Sequence, residues 1–243
     1  MPRQPRLVLP EVALHVVQRG NDRQICFRED TDCIVYLTVL HELASKTCVA
    51  VHAYCLMTNH VHLLLTPSDE GSCAALMRNL GQRYVQYFNR RHLRTGTLWE
   101  GRYRSCLVDS AAYVLACHRY IERNPVRAGM VASPEMYRWS SYHGNAGRAQ
   151  DTILSPHVEY LALAREGPER HAAYRRLVGE HEEASFLSAV RDATNGGYPL
   201  ASPELKTRLA AITSGRRLER GKPGPRAEEQ ADALNQQTLE LGL

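Results

Sequence analysis

Lysine is almost absent from this 243-residue chain, which holds only Lys46, Lys206 and Lys222, so arginine carries nearly all its basic charge. Long apolar runs are missing too. None approaches the ~18 residues that would cross a bilayer, which excludes a helical membrane protein. Residues 1–14 contain Arg3, Arg6, Pro10 and Glu11 but no apolar core and no small-residue cleavage site, so nothing there reads as an export signal. The expected location is the cytoplasm, with the nucleoid as the place of action. Seven cysteines occur, at positions 26, 33, 48, 55, 73, 106 and 117, yet no two form a CxxC pair. An odd set among apolar neighbours reads as reduced core residues. Acids are scarce in one stretch. Gly71 to Arg148 holds twelve arginines and four acids, a local excess that suits a polyanionic partner. A general preference for arginine over lysine would not explain that shortage of acids.

What is present, 44% hydrophobic and 23% charged residues, fits a soluble globular protein of one main domain and an appendage. Val12 to Gln18 reads as a strand closed by "RGND". A helix starts at Asp30, with Ile34, Leu37, Leu40, Leu43 and Ala44 at spacings of three and four. Val49 to Leu56 and His60 to Thr66 read as two strands of an antiparallel hairpin. A long helix follows from about Cys73 to Arg91, with Leu76, Leu80, Tyr84, Tyr87 and Phe88 on one stripe, and Arg102 to Asp109 makes a fourth strand. Ser110 is placed to cap the next helix, which must stop near Asn124 because Pro125 follows. This order implies an α+β fold, a ferredoxin-like split βαβ with helices on one face of an antiparallel sheet. The expected division is a catalytic-type domain over 1–149, a small helical region over 150–214 and a basic, then acidic, flexible tail over 215–243.

"YCLMTNHVHLLL", Tyr54 to Leu65, sets two histidines one residue apart in an apolar stretch. On a strand, His60 and His62 share a face while Val61, Leu63 and Leu65 take the other. Two readings fit: a pair of imidazoles converging on a divalent cation, or two polar side chains on a solvated face. In "CHRYIERNPVRAG", Tyr120 and Asn124 are four apart near a helix end. They could present a hydroxyl and an amide to the histidine strand, or serve as a half-buried aromatic and a cap before proline.

"RGNDRQ", "YCLMTNHVHLLL", "LWEGRYRS", "YIERNPVRAGMV" and "WSSYHG", in this order and spacing, resemble the REP-associated tyrosine transposases, of the single-tyrosine branch of the HUH nucleases. The resemblance covers about residues 1–150. It implies the HUH nuclease fold. It also implies that His60 and His62 bind Mg2+ or Mn2+, that Tyr120 is the nucleophile, and that Asn124 is the third metal ligand. The activity implied is cleavage and strand transfer of single-stranded or hairpin DNA at a REP-like palindrome, through a 5′-phosphotyrosine. Arg19, Arg23, Arg83, Arg90, Arg102, Arg104, Arg123 and Arg127 are the candidate phosphate contacts. Trp99, Tyr103, Trp139 and Tyr142 could stack on unpaired bases or pack in the core. A monomer is expected. The rival readings are a domesticated protein that grips hairpins without cutting, and a metal-dependent hydrolase, whose extra ligands would have to come from His52, Asp69 or Glu70.

Overall fold

Leu14 and Val16 alternate with His15, Val17 and Arg19, and this period of two builds strand β1 (Ala13–Arg19). It is one of four antiparallel strands in a computed structural model that describes residues 5–180, 183–213 and 216–219. The chain continues through α1 (Asp30–Lys46), β2 (Val49–Met57), β3 (His60–Pro67), α2 (Ser72–Arg91), β4 (Arg104–Val108), α3 (Ala111–Glu122) and the single turn α4 (Asn124–Arg127). The sheet order β2-β3-β1-β4 is that of a split βαβ, so the expected fold class is the one observed.

Local chemistry sets the boundaries. Helix α1 opens on a capping box: Asp32 accepts from the backbone N–H of Arg28 at 2.8 Å and of Glu29 at 3.2 Å. Its buried stripe runs through Cys33, Tyr36, Leu40, Leu43 and Ala44, and Ile34, expected on that stripe, faces solvent. Thr58 and Asn59 alone join β2 to β3. Gly20 ends β1 where no other residue fits, since a Cβ there would collide with the Gln24 carbonyl and lie 2.6 Å from Cys26 Sγ. Ser110 holds the N-cap position of α3 with φ 85° and without a side-chain capping bond, contrary to the role expected of it.

Helices cover both faces of the sheet, not one. Leu14, Val16, Val61, Leu63 and Leu65 pack against Tyr36 and Leu40 of α1 and Leu76, Leu80 and Tyr84 of α2. On the opposite face Ala13, Leu64, Cys106 and Val108 pack against Val114, Cys117 and Ile121 of α3. A bulge at His52 switches the alternation of β2, so Val51 and Tyr54 share the first core while Ala53 and Cys55 join the second.

Among the described residues five further α-helices follow: α5 (Tyr142–Asn145), α6 (Val158–Leu161), α7 (Gly167–Gly179), α8 (Ala184–Gly196) and α9 (Pro203–Ile212). Packing crosses the boundary expected at 149/150. Val190 and Ala193 of α8 enter the core beneath α3, and Leu205 and Leu209 of α9 enter the core of α1 and α2. Leu200 donates its N–H to the Leu107 carbonyl at 2.8 Å and accepts from Asp109 N–H at 3.0 Å, covering the outer edge of β4. The physical reason is area: α3 alone leaves the β1–β4 side of its sheet face open, and α8 closes it. Apart from 216–219, the expected tail over 215–243 lies outside the described residues. Among the described residues no helix is long and apolar enough to cross a membrane, and every cysteine is free, with Cys48 exposed and the other six buried.

Candidate active site

Antiparallel register brings the pieces together. Val17 stands opposite His62 and Arg19 opposite His60, so the odd-numbered residues of β1 and the two histidines of β3 share one sheet face. Helix α3 crosses that face and delivers Tyr120 from its last turn. His60, His62, Tyr120 and Asn124 line a single cleft of about 310 Å³, with His15 and Arg127 beside them. The His60 and His62 ring centres are 4.9 Å apart, and the Tyr120 ring lies 5.7 Å from His62.

Hydrogen bonds fix both imidazoles by the same nitrogen. His60 Nδ1 is 2.7 Å from Asn59 Oδ1, and Asn59 Nδ2 donates to the Arg23 carbonyl at 3.2 Å, which orients the amide. An amide oxygen only accepts, so His60 Nδ1 carries the proton and Nε2 keeps its lone pair. His62 Nδ1 is 2.9 Å from His15 Nε2, and His15 Nδ1 is 2.9 Å from Thr194 Oγ1. Burial, reinforced by Arg19, pushes the His60 imidazole down to about 4. His62 is held well below its ordinary value by burial first and then by His15, His60, Arg127 and Arg19, and His15 is pushed down to about 3 by burial and Arg127. A neutral ring is the form in which histidine binds a divalent cation, and His60 already presents a free Nε2 to the cleft. His60, His62 and the Asn124 amide therefore fit such an ion by donor chemistry.

Tyr120 and Asn124 do not share one continuous helix. Helix α3 stops at Glu122, and Asn124 begins the separate turn α4, because Pro125 has no N–H with which to extend the ladder. Arg127 closes back over this break. Its guanidinium lies 4.2 Å above the Tyr120 ring and donates to the Tyr120 carbonyl. The helix is anchored from its other side by Glu122, fully buried, which accepts from Ser141 Oγ at 2.6 Å, Tyr174 OH at 2.7 Å and Asn145 Nδ2 at 2.9 Å. Burial pushes this carboxyl up to about 7 against the pull of those three donors. Ser141 also accepts from the Tyr54 N–H at 2.9 Å, so "WSSY" ties α3 to β2.

The eight candidate phosphate contacts separate. Arg19 and Arg127 line the cleft. Arg19, Arg102 and Arg104 line a second cavity of about 100 Å³ that shares Val17 and Asn195 with it, and a third of about 240 Å³ continues past Arg102 and Arg104 to Arg6 and Arg216. Arg23 is exposed next to the turn that carries Asn59. Arg123 turns away to donate to the Val178 carbonyl at 2.9 Å. Arg83 and Arg90 lie together on α2, on the far side of the sheet, where Arg83 pairs with Glu42 at 2.8 Å. The candidate stacking residues are core: Trp99, Tyr103 and Tyr142 are buried, and Trp139 packs against the α1–α2 core under Arg138.

Four polar cleft residues escaped the sequence reading: His15, Arg191, Thr194 and Asn195. His15 carried a faint signal, a lone histidine inside an apolar strand. The last three come from α8, far along the chain. The extra ligands a hydrolase would need are elsewhere: His52 bonds Ser155 and Thr66, and Asp69 holds the first turn of α2. Among the described residues one further group, Glu29, Asp32 and His92, has ligand atoms within 4.8 Å of one another. Asp32 there already accepts from two backbone N–H groups, Tyr87 and His92, and Glu29 pairs with Arg91, so these atoms serve the start of α1.

The family described as Transposase IS200 like matches residues 9–124 of this chain. No curated protein matches it. Among solved structures, a REP-associated tyrosine transposase bound to a REP hairpin is similar over 65% of this chain and 93% of its own, at 15% identity and a TM-score of 0.52. A structure assigned as a transposase of Deinococcus radiodurans R1 covers 50% of this chain and 97% of its own at 22% identity, with a TM-score of 0.34. The resemblance read from the motifs agrees with the family match over 9–124, and the fold is the one seen in the solved structure over the larger share.

Proposed function

We propose, for a chain whose residues 9–124 match the family described as Transposase IS200 like, that it cuts and rejoins single-stranded DNA beside a palindromic hairpin, with Tyr120 as nucleophile. One observation carries this reading: Tyr120, His60, His62 and Asn124 meet in one cleft, with both imidazoles tied back through Nδ1. The hairpin is the kind of DNA that the structural relative of similar fold holds.

His60, His62 and Asn124 would hold Mg2+ or Mn2+, whose part is to polarise a non-bridging phosphate oxygen. Tyr120 Oη attacks phosphorus in line with the leaving 3′ oxygen. The Oη–P bond forms as the P–O3′ bond breaks, the phenolic proton passes to solvent, and the 3′ oxygen takes up one proton. The products are a 5′-phosphotyrosine and a free 3′-hydroxyl, and attack by a second 3′-hydroxyl reverses the step without ATP. Arg127 keeps the Tyr120 ring from turning, and the Glu122 anchor fixes the helix beneath it. The three linked cavities give the strand a basic path from the cleft along the β4 edge, past Arg19, Arg104 and Arg102. Tyr120 reaches histidines of its own chain, so a monomer suffices.

The test is incubation of labelled single-stranded DNA carrying a palindrome with Mg2+ or Mn2+, scored for a covalent protein–DNA adduct. Wild type forms the adduct and Tyr120→Phe does not, while retaining DNA binding. An adduct of equal yield from Tyr120→Phe removes the tyrosine mechanism, and hairpin binding without any adduct makes the protein a non-cleaving hairpin binder.

A further inference from the structure

The metal-ligand histidines have different supports. His60 leans on a surface turn through Asn59, whereas His62 is backed by a buried row of groups that the reaction above does not use. His15 is 1% exposed and Thr194 4% exposed. The His15 and His62 planes are inclined by only 6° with ring centres 5.2 Å apart, a spacing that together with the 2.9 Å contact between His15 Nε2 and His62 Nδ1 sets the rings edge to edge. Thr194 Oγ1 takes the far nitrogen of His15 and lies 3.4 Å from Cys106 Sγ.

Such a row has two self-consistent proton arrangements when both rings are neutral. In one, His62 Nδ1–H donates to His15 Nε2, His15 Nδ1–H donates to Thr194 Oγ1, and the threonine hydroxyl donates onward. His62 Nε2 then offers a lone pair to the cleft. In the other, every bond reverses and His62 turns an N–H toward the cleft, where no cation can bind it. The charges around the cleft bias the direction of the row, and His15 is the link that holds His62 in it. Arg19 and Arg127 both line the cleft, and a positive field at its mouth favours the lone pair pointing outward and the N–H pointing in. Buried partners exclude water, so no solvent molecule substitutes for His15 at Nδ1.

We infer that His15, held by Thr194 of α8, is a positioning residue that sets the His62 tautomer presenting Nε2 to the cleft, which makes α8 part of the site. For metal binding this rests on the function proposed above, but the tautomer is a property of the metal-free protein and can be read separately. The experiment uses full-length protein with 15N-labelled histidine, and long-range 1H–15N correlation assigns each ring. Wild type shows His62 protonated at Nδ1. His15→Gln, whose amide oxygen accepts and whose NH2 donates, keeps that pattern. His15→Leu gives a mixture that includes Nε2–H, and Thr194→Val, which keeps the shape of threonine, moves part of the way. Mn2+ titration followed by electron paramagnetic resonance then gives a dissociation constant about 10- to 100-fold higher for His15→Leu and close to wild type for His15→Gln. If His15→Leu does not fold, Thr194→Val and His15→Gln carry the comparison. An Nε2–H tautomer of His62 in wild type overturns the inference, as does a folded His15→Leu with wild-type tautomer and Mn2+ affinity. A wild type with the expected tautomer that binds no Mn2+ supports the His15 assignment and removes the metal-dependent function instead.

Discussion

Asn59 Oδ1 sits 2.7 Å from His60 Nδ1 while Asn59 Nδ2 donates to the Arg23 carbonyl, so the two-residue turn between β2 and β3 aims the first histidine of the pair. Asn59→Leu keeps the size but loses the acceptor. The expected result is an Mn2+ dissociation constant about tenfold higher, measured by titration, with an unchanged circular dichroism spectrum. Asn59→Asp, which still accepts, is expected to bind as wild type does. Equal affinity in all three proteins would detach this turn from the site.

The division of the arginines predicts a contrast in salt dependence. Arg102 and Arg104 border the cavities that continue from the cleft, whereas Arg83 and Arg90 lie behind the sheet. Binding of single-stranded DNA to Arg102→Gln/Arg104→Gln should weaken, and its log–log salt slope should shrink by about 1.4, two phosphate contacts' worth for a single strand. Arg83→Gln/Arg90→Gln should change neither quantity. The reverse outcome would put the strand across α2.

His52 makes a prediction about pH. It is buried in the β2 bulge, bonded to the Ser155 carbonyl at 2.6 Å and to Thr66 Oγ1 at 2.8 Å, and burial pushes it down to about 4 from an ordinary 6.5. Between those values the unfolded chain binds more protons than the folded one, so unfolding free energy rises with pH there and is lost on acidification. This site alone contributes about 3 kcal/mol to the loss between pH 7 and pH 4. Urea melts across that range should show a smaller loss for His52→Gln than for wild type. Parallel curves would show that His52 does not titrate as its burial demands.

Removing the C-terminal half is expected to ruin the N-terminal half. A chain ending at residue 149 lacks Val190 and Ala193 over the sheet and leaves the β4 edge without its Leu200 partner. Size-exclusion chromatography should find it aggregated. A stable, monomeric 1–149 fragment would contradict the shared core.

The hairpin strands, α1 and α2 are legible because each is written in a period, two in "HVHLLL" and three and four in the helices, whereas α3 is bounded by Ser110 and Pro125 alone. His60 and His62 follow from that period directly. His15 does not, since a lone histidine has no spacing partner until the register lays β1 beside β3. Arg83 and Arg90 were grouped with the cleft because periodicity tells which side of a helix is polar but not which side of the sheet the helix lands on. Thr194 lay beyond reach for a third reason: nothing in a local pattern says that α8 packs under a strand 179 residues earlier.

That long separation has a consequence for when the protein becomes competent. During synthesis the histidine pair and Tyr120 are made well before α8, and at ~5–20 residues per second Thr194 follows His15 by on the order of ten seconds or more. Until α8 docks, His15, which backs the His62 imidazole, lacks its Thr194 partner, and the cleft lacks its Arg191 and Asn195 wall. A chain broken off early therefore carries Tyr120 and the histidine pair without the finished cleft.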